Sequence, residues 1–488
     1  MKSWAKRTWA ALLVLVLIIL MTLTGCKEDG PVTLRIVTEG IGQTEDGWAT
    51  PRGIDQITQL VLEYRKTHEN VDVVLEQIPF SGEARTAKLE QLRTELMAGK
   101  GPDVLILPSG SVLTNEMGSA KEGLIPDVEM AMRNGLFTDI SEFYDADTEL
   151  GKESLNTKVL DAGVVDGARY VLPLRYDFPV ACVNMDAFGQ TGLSTDIFDG
   201  TILTFMEAAM QTNDGLADSM QLDPNMLFLE NLLPKAVDYD KQQVLLTKEQ
   251  LVDFVQTYWT YYQKCSRSDG YPQHAWLGTF GKPELDTGVE MPWYNSWINM
   301  GYWMCVEPLD RTIHAVARAK SVEAELQMFP LRAVDGKLTA DVTVYCAISA
   351  GCKNPEIAYD FLRQLLLEDF QWEQNTDVGS SGAYFAAQGW PVRTKDSVPT
   401  LVFGISEQVG SFDNTSGRKG LLWSLTDADI PILTAQIDEV VFPTTWYGGF
   451  DLEMMQMYWQ EQQGKEVATA EALAEQWLKN LEWHLAES

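Results

Sequence analysis

Two short stretches of the sequence combine aromatic side chains with loop-forming residues and could bind a ligand by stacking. The stretch "MPWYNSW" contains Tyr294 and Trp297, and in "TTWYGGF" Trp446 and Tyr447 directly precede two glycines. The glycine pair favours an exposed loop at that point. Aromatic rings stack on the apolar C–H faces of sugars, so all four residues are candidate ligand-binding residues. Packing in a core is an equally good interpretation of each one taken singly.

Arg175 and Asp177 could supply the polar contacts that such a ligand also needs. They lie in an extended stretch whose backbone is restricted by Pro173 and Pro179. Because side chains alternate along an extended chain, Arg175 and Asp177 share one face and could both point at a solute, where a guanidinium and a carboxylate would bind hydroxyl groups. The alternative is a surface ion pair between strand neighbours, which would contribute less than about 1 kcal/mol.

Strand and helix patterns alternate from residue 32 onward. The stretches "VTLRIVTEG", "VDVVLEQI" and "VLILP" predict three strands. Between the first two, apolar residues recur at helical spacing from Ile54 to Tyr64. Between the last two, Leu89, Leu92 and Leu96 form one apolar stripe on a helix that should end at Gly99.

This alternation predicts a parallel sheet with helices on both faces, because the strands are almost continuously apolar. In such sheets, ligands bind just beyond the carboxyl ends of the strands. Glu39 and Ser109 end the first and third strand segments, and Trp48 lies in the loop after the first strand. All three are therefore further candidate ligand-binding residues.

The later segments predict a second set of elements. A hairpin should lead into the extended segment between Asp166 and Phe188. Helices are predicted in "ILTFMEAAMQT" and "KEQLVDFVQTYWTYYQK", a strand in "LTADVTVYCAISAG", and another helix from Asn354. A C-terminal helix should bury one apolar stripe, made of Ala470, Leu473, Ala474, Trp477 and Leu481.

Length and charge limit the classes of function. A chain of 488 residues favours two lobes or domains rather than one core. With 70 acidic and 37 basic residues, its net charge of −33 would repel phosphate backbones and anionic lipid surfaces. Nucleic-acid binding is therefore not expected.

The N-terminus has the pattern of an export signal. Three cations at Lys2, Lys6 and Arg7 precede an uncharged apolar run from Trp9 to Leu23, which is short for a membrane-spanning helix. The following Leu-Thr-Gly-Cys, ending at Cys26, resembles the lipobox of bacterial lipoproteins, in which the cysteine is lipidated and becomes the first mature residue. Residues 1–25 would then be a signal peptide and residues 26–31 a tether. The alternative is a simple membrane anchor with an incidental cysteine.

The remaining cysteines and the histidines favour no metal site. Five cysteines follow Cys26, an odd number that cannot all pair within one chain, and a bridge between Cys346 and Cys352 stays open as a minority interpretation. The chain has no C-x-x-C motif, and its four histidines are far apart in sequence. We predict no metal ligand and no cofactor.

Enzyme motifs are weak. "GIGQTE" resembles a dinucleotide fingerprint, but Glu45 replaces its third glycine. The S-x-x-K spacing from Ser416 to Lys419 has no companion S-D-N or K-T-G motif. A glycosidase carboxylate pair can always be chosen among so many acidic residues, so their number predicts nothing. An anchored hydrolase stays a minor alternative.

Several pieces in one order resemble the extracellular solute-binding proteins of bacterial ABC importers, within the large family that takes up sugars and oligosaccharides. The lipobox comes first, and "LRTELMAGKGPDV" and "VDGARYVLPLRYDFPVACVNMDAF" follow. "AISAGCKNPEIAYDFLRQLL" and the terminal "GKEVATAEALAEQW" complete the set. "GWPVRTKD", with Trp390 and Arg393, resembles the family's return segment near a hinge, which adds Trp390 to the candidates. Between about 200 and 335 the resemblance is weakest.

The resemblance implies an α/β fold of the two-lobed, type II periplasmic-binding-protein kind, with each lobe a mainly parallel sheet flanked by helices and a hinge of two or three crossing segments. The first lobe would comprise 32–177 with 341–400, and the second 178–340 with 401–488. The implied protein is a monomer, anchored by lipid at the extracellular face of the cell membrane. It would capture a carbohydrate and deliver it to permease subunits, without covalent chemistry. A binder of a non-sugar solute on the same fold is the main alternative.

Overall fold

The computed structural model describes most of the chain between residues 31 and 393 and the C-terminal helix. The described ranges are 31–39, 54–79, 81–109, 123–211, 235–261, 303–309, 324–367, 389–393 and 464–487, together with the short pieces 220–221, 370–371, 402–403, 423–424 and 442–443 and a few single residues.

The N-terminal part alternates strands and helices as predicted. α2 buries Leu89, Leu92 and Leu96, and the chain turns after it at Gly99, where φ is +63°. β1 pairs in parallel with both β2 and β3. The elements are β1 (Val32–Glu39), α1 (Ile54–Thr67), β2 (Val71–Ile78), α2 (Gly82–Met97) and β3 (Val104–Pro108).

The segment that follows leads into the predicted hairpin and extended stretch. Asp166 and Gly167, both with positive φ, form the tight turn of the hairpin. The next two strands are buried along their whole length and are separated only by Phe178. The elements are α3 (Val128–Arg133), α4 (Ser141–Ala146), α5 (Thr157–Leu160), β4 (Val164–Val165), β5 (Ala168–Arg169), β6 (Val171–Asp177) and β7 (Pro179–Asn184).

A second group of elements surrounds β7. The predicted helices are confirmed as α7 and α8. The elements are α6 (Met185–Phe188), α7 (Ile202–Gln211), β8 (Met220–Gln221), β9 (Val237–Asp238), β10 (Gln243–Val244), α8 (Lys248–Tyr261), β11 (Met304–Pro308) and β12 (Leu326–Pro330).

The chain then returns to the first sheet. The predicted strand and helix after residue 338 are confirmed, and the last helix buries four members of its predicted stripe, from Leu473 to Leu481. The elements are β13 (Thr339–Ile348), α9 (Pro355–Gln364), β14 (Trp390–Pro391), β15 (Val402–Phe403), β16 (Trp423–Ser424), β17 (Phe442–Pro443) and α10 (Ala470–Glu487).

Two main sheets organise these elements. The first has the order β14-β6-β13-β3-β1-β2, with β17 also paired to β13, and the second has the order β12-β7-β11-β8. In the first sheet the N-terminal strands are parallel, while β13 is antiparallel to both β3 and β6. In the second, β7 is antiparallel to both neighbours, whereas β8 and β11 pair in parallel. The expectation of a mainly parallel sheet in each lobe therefore does not extend to the described strands of the second sheet, because β11 and β12 run back toward the first sheet beside the outgoing β7.

Two hydrophobic cores pack against these sheets. The first core gathers the apolar side chains of β1, β2, β3, β6 and β13 with those of α1, α2 and α9, and it also includes Val180 and Cys182 of β7 and Met328 of β12. The second core joins α7, α8 and α10 to β7. Cys346 and Cys352 are free thiols, so the bridge left open between them is not formed. Among the helices in the described ranges, none has the length and apolarity that crossing a membrane requires.

Candidate functional site

Five of the predicted ligand-binding residues lie along one edge of the first sheet. β1, β3 and β6 run in one direction, so their carboxyl ends meet at the same edge, while the antiparallel β13 begins there. In the sheet register, Val344 of β13 pairs with Pro108 on one side and with Arg175 on the other. β14 adds Trp390 opposite Tyr176. The edge therefore gathers Glu39, Ser109, Arg175, Asp177 and Trp390.

The chain passes to the second sheet from this same edge. β6 ends at Asp177, and after Phe178 the chain continues as β7 of the second sheet. The Leu309 backbone N–H, just past β11, donates to the Phe178 carbonyl at 3.0 Å. The Leu331 backbone N–H, just past β12, donates to the Pro179 carbonyl at 2.9 Å. Three segments thus lie side by side where the two sheets meet, as a hinge of two or three crossing segments requires.

Asp177 fixes this junction through its side chain. Its Oδ1 accepts hydrogen bonds from the backbone N–H of Phe178 at 2.8 Å and of Leu309 at 2.5 Å. Asp341 of β13 is its register partner on the neighbouring strand, and both side chains are buried. One carboxylate therefore ties two crossing segments together, and a second lies beside it.

Arg175 is bound to the chain that returns to the first sheet. Its Nη1 donates to the Gly389 carbonyl at 3.4 Å, and its Nη2 donates to the Gln371 carbonyl at 3.0 Å. Arg175 is only 4% exposed and Asp177 only 2%. The interpretation of these two residues as a surface ion pair is therefore wrong, since neither side chain reaches the surface.

Glu39 and Ser109 lie at the ends of β1 and β3, as the sequence predicts. Glu39 forms a buried ion pair with Arg85 of α2, and Arg85 Nη1 also donates to the Pro79 carbonyl at 3.1 Å. The backbone N–H of Ser109 donates to the Thr343 carbonyl at 2.9 Å, which joins β3 to the start of β13.

The Glu39 carboxylate also influences a neighbouring phenol. Burial raises the pKa of Tyr345 far above its ordinary value, and the negative charge of Glu39 raises it further. Tyr345 of β13 therefore stays a neutral phenol beside the buried ion pair.

The return segment around β14 is packed into the first core. Trp390 is buried there. Arg393 Nε donates to the Leu366 carbonyl at 2.7 Å, and its Nη2 donates to the Leu150 carbonyl. Gly389 is held at φ +112°, and a Cβ at that position would lie 2.2 Å from Thr343 Oγ1. A side chain at residue 389 would therefore force the return segment away from β13.

Several residues at this edge were missed by the sequence interpretation, although signals for them existed. Arg85 lies four residues before Leu89 and so continues the apolar stripe of α2. Asp341 and Thr343 are polar residues inside the buried strand "TADVTVYCAI". Gln371, whose carbonyl accepts from Arg175, carried no such signal.

The other predicted site residues are not among the described ones. They are Trp48, Tyr294, Trp297, Trp446, Tyr447 and the lipidation candidate Cys26. Within the described ranges, no three His, Cys, Asp or Glu side chains are grouped so that they could hold a metal ion.

Comparison with known proteins identifies the architecture. Residues 50–258 match the family model of the bacterial extracellular solute-binding protein. The chain has the two-lobed fold of these proteins. The family resemblance predicted from the sequence is confirmed by this match, which covers β2, β3 and both strands of the first crossing. No curated protein matches the chain in sequence.

Solved structures agree on the fold. The sugar-binding protein MalE from Xanthomonas citri is similar with a TM-score of 0.56 and 14% identity, over 93% of this chain and 98% of that one. A de novo designed cysteine esterase is similar with a TM-score of 0.54 and 15% identity, over 94% of this chain and 98% of the other. At such low identity, both similarities describe the fold and carry over no site residue.

Proposed function

We propose that this protein is the solute-binding component of an ABC importer and that it captures a sugar or oligosaccharide between two lobes. The observation that supports the proposal best is the convergence of strand carboxyl ends with three crossing segments at one edge of the first sheet. Ligands of open α/β sheets bind at such edges, and a hinge at the same place lets a second lobe close over the ligand. The structurally similar Xanthomonas citri protein is named as sugar-binding.

The lobes in this proposal follow the boundaries predicted from the sequence. The first lobe comprises 32–177 with 341–400, and the second comprises 178–340 with 401–488. The proposed ligand-binding set is the predicted one, in which Arg175 and Asp177 also hold the junction in shape. Stacking falls to the aromatic candidates, chiefly Trp297 and Trp446. No covalent step is part of this function, and no cofactor is needed.

A ligand screen tests the proposal. Bound solute stabilises the native state by mass action, so the correct class of solute raises the melting temperature. The panel contains oligosaccharides of different linkage and length, with peptides and polyamines as the other classes. We expect the melting temperature to rise with an oligosaccharide and with no other class of solute. A rise only with a peptide or polyamine would favour a non-sugar binder on the same fold. Shortened sugar products after incubation with oligosaccharides would favour the glycoside hydrolase.

Stacking is tested by removing single rings. We expect Trp297→Ala and Trp446→Ala each to weaken oligosaccharide binding by about 1–3 kcal/mol, measured by calorimetry, because each loses one aromatic platform. Trp483→Ala is the matched control, since Trp483 is 69% exposed on the C-terminal helix. Unchanged affinity in both test variants would remove these residues from the site.

The location of the protein is a separate part of the proposal. We place it at the extracellular face of the cell membrane, anchored through lipid on Cys26 and working as a monomer beside its permease subunits. An anchor raises the local concentration of the receptor near the transporter. We expect Cys26→Ser to abolish incorporation of labelled palmitate and to move the protein out of the membrane fraction. Palmitate incorporation that survives the substitution would contradict the anchor and leave the binding function unaffected.

A further inference from the structure

The short helix α3 connects the two cores at a place separate from the crossing strands. Val128, Ala131 and Met132 are part of the first core. Met130, on the same helix, packs against the second core. α3 therefore presents one face to each core.

Asp127, the residue that caps α3, is the centre of a polar contact with the second core. Its Oδ1 accepts from the Met130 backbone N–H at 2.8 Å, which fixes the carboxylate at the helix start. Its Oδ2 accepts from the Tyr239 hydroxyl at 2.7 Å and lies 2.5 Å from His484 Nε2. Tyr239 follows β9, and His484 lies on α10. Two elements of the second core thus converge on one carboxylate oxygen.

Charges around this contact are complementary across the boundary. The side of the first core carries Glu129 and Arg133 of α3. The side of the second core carries Lys235 and Asp240, which lie beside β9. Arg133 Nη1 lies 2.5 Å from the Asp240 carboxylate, and Lys235 Nζ lies 3.3 Å from that of Glu129. The Arg133 guanidinium also lies 5.4 Å from the centre of the Tyr239 ring. Every charge that α3 presents here therefore meets an opposite charge or an aromatic face on the other core.

We propose that Asp127, Tyr239 and His484 form an interlobe lock, which holds the two lobes in the arrangement seen in this structure. A hydrogen-bonded carboxylate with little solvent contact is stronger than an exposed ion pair, and the Asp127 and His484 side chains are only 12% and 20% exposed. A polar contact also separates at less cost than an apolar one, because water satisfies the freed groups. Such a contact suits two bodies that must move apart and return.

The lock and the hinge differ in the interactions that hold them together. The crossing strands are joined by backbone hydrogen bonds as well as by the Asp177 side chain, whereas the lock depends on three side chains from distant parts of the sequence. Removal of the lock should therefore free the relative position of the lobes and leave each lobe folded. A solute whose binding requires another arrangement of the lobes must first break this contact.

The test measures the distance between the lobes without any solute. Spin labels replace Thr86 of α2 and Glu249 of α8, two exposed residues that each report the position of one lobe. The labels are carried on noncanonical amino acids, so the native cysteines are not labelled. We expect Tyr239→Phe and His484→Leu each to broaden or shift the distance distribution measured by pulsed electron resonance. His484→Gln keeps a donor nitrogen near the carboxylate and should restore the distribution of the unaltered protein.

Glu475→Gln is the matched control, because its partner Lys248 and its own helix both belong to the second core. It should leave the distribution unchanged. Melting temperatures separate a freed lobe from an unfolded one. Distributions for Tyr239→Phe and His484→Leu that coincide with that of the unaltered, folded protein would overturn the lock. Because no solute is present, this result is independent of the proposed binding function.

Discussion

The two cores differ in what they bury. Among the described residues, all buried charged side chains lie on the first sheet or on segments packed against it; they are Glu39, Arg85, Arg175, Asp177, Asp341 and Arg393. The second core is packed by aromatic rings. Phe198 stacks on Phe329 with their ring centres 4.3 Å apart, and the ring centres of Phe188 and Trp303 are 5.1 Å apart.

This difference indicates that one core mainly stabilises the fold, whereas the buried charges of the first sheet mainly fix the positions of its residues. Burying charge costs free energy, and a buried ion pair stabilises a fold less than apolar residues of the same shape would. Aromatic packing, by contrast, removes large apolar areas from water. We infer that the second core is a stable platform. The first sheet is less stable than an apolar sheet would be, because its buried charges hold its edge and the crossing segments in one geometry.

The largest effect that this comparison predicts is in the second core. Trp477 of α10 is buried, so Trp477→Ala should lower the free energy of unfolding by about 3–5 kcal/mol, measured by chemical denaturation. Trp483 lies on the same helix but is mostly exposed, and Trp483→Ala should cost far less. Equal losses in the two variants would mean that α10 is not held by its buried stripe.

The buried ion pair of the first sheet should respond differently to single and double changes. Arg85→Met leaves the Glu39 carboxylate buried without its cation, and we expect a loss of about 3 kcal/mol in the free energy of unfolding. The double variant Glu39→Leu with Arg85→Met should recover much of that loss, because no charge then stays buried. A double variant as unstable as the single one would show that the pair does more than balance charge.

A smaller effect is expected at Gly389, where the return segment approaches β13. Gly389→Ala combines strain at positive φ with a contact of 2.2 Å to Thr343 Oγ1, and should cost about 1–3 kcal/mol in thermal or chemical unfolding. Gly336→Ala is the control, since that glycine also has positive φ but a Cβ there meets nothing within 4 Å. A larger loss for Gly389→Ala than for Gly336→Ala is the expected result of the crowding against Thr343, and equal losses would contradict it.

Sequence periodicity was sufficient for most elements of the fold and insufficient for the partners at the sheet edge. Alternation and helical stripes depend on neighbours in the chain, so β1, α2 and β13 could be predicted from local pattern. The contacts of Arg175 with the carbonyls of Gly389 and Gln371 join residues about two hundred positions apart. No local pattern reports such contacts. For the same reason the burial of Arg175 against the return segment could not be predicted from its neighbours in the chain.

The smallest predicted effect is a pH dependence at the contact between the cores. Burial alone would raise the pKa of Asp127, but hydrogen bonds from His484, the Met130 backbone and Tyr239 outweigh it and lower the pKa below its ordinary value of 3.8. A carboxyl group with a lowered pKa stabilises the folded state above its ordinary value, and that contribution is lost as the pH falls through the lowered one. The unaltered protein should therefore be more stable than Asp127→Asn at pH 5, and this difference should shrink steadily as the pH falls below 3.8. Denaturation curves across that range measure it, and a difference independent of pH would mean that the Asp127 charge contributes nothing to the contact. Since the same carboxylate joins the aromatic core to the charged one, its titration reports on their contact rather than on either core alone.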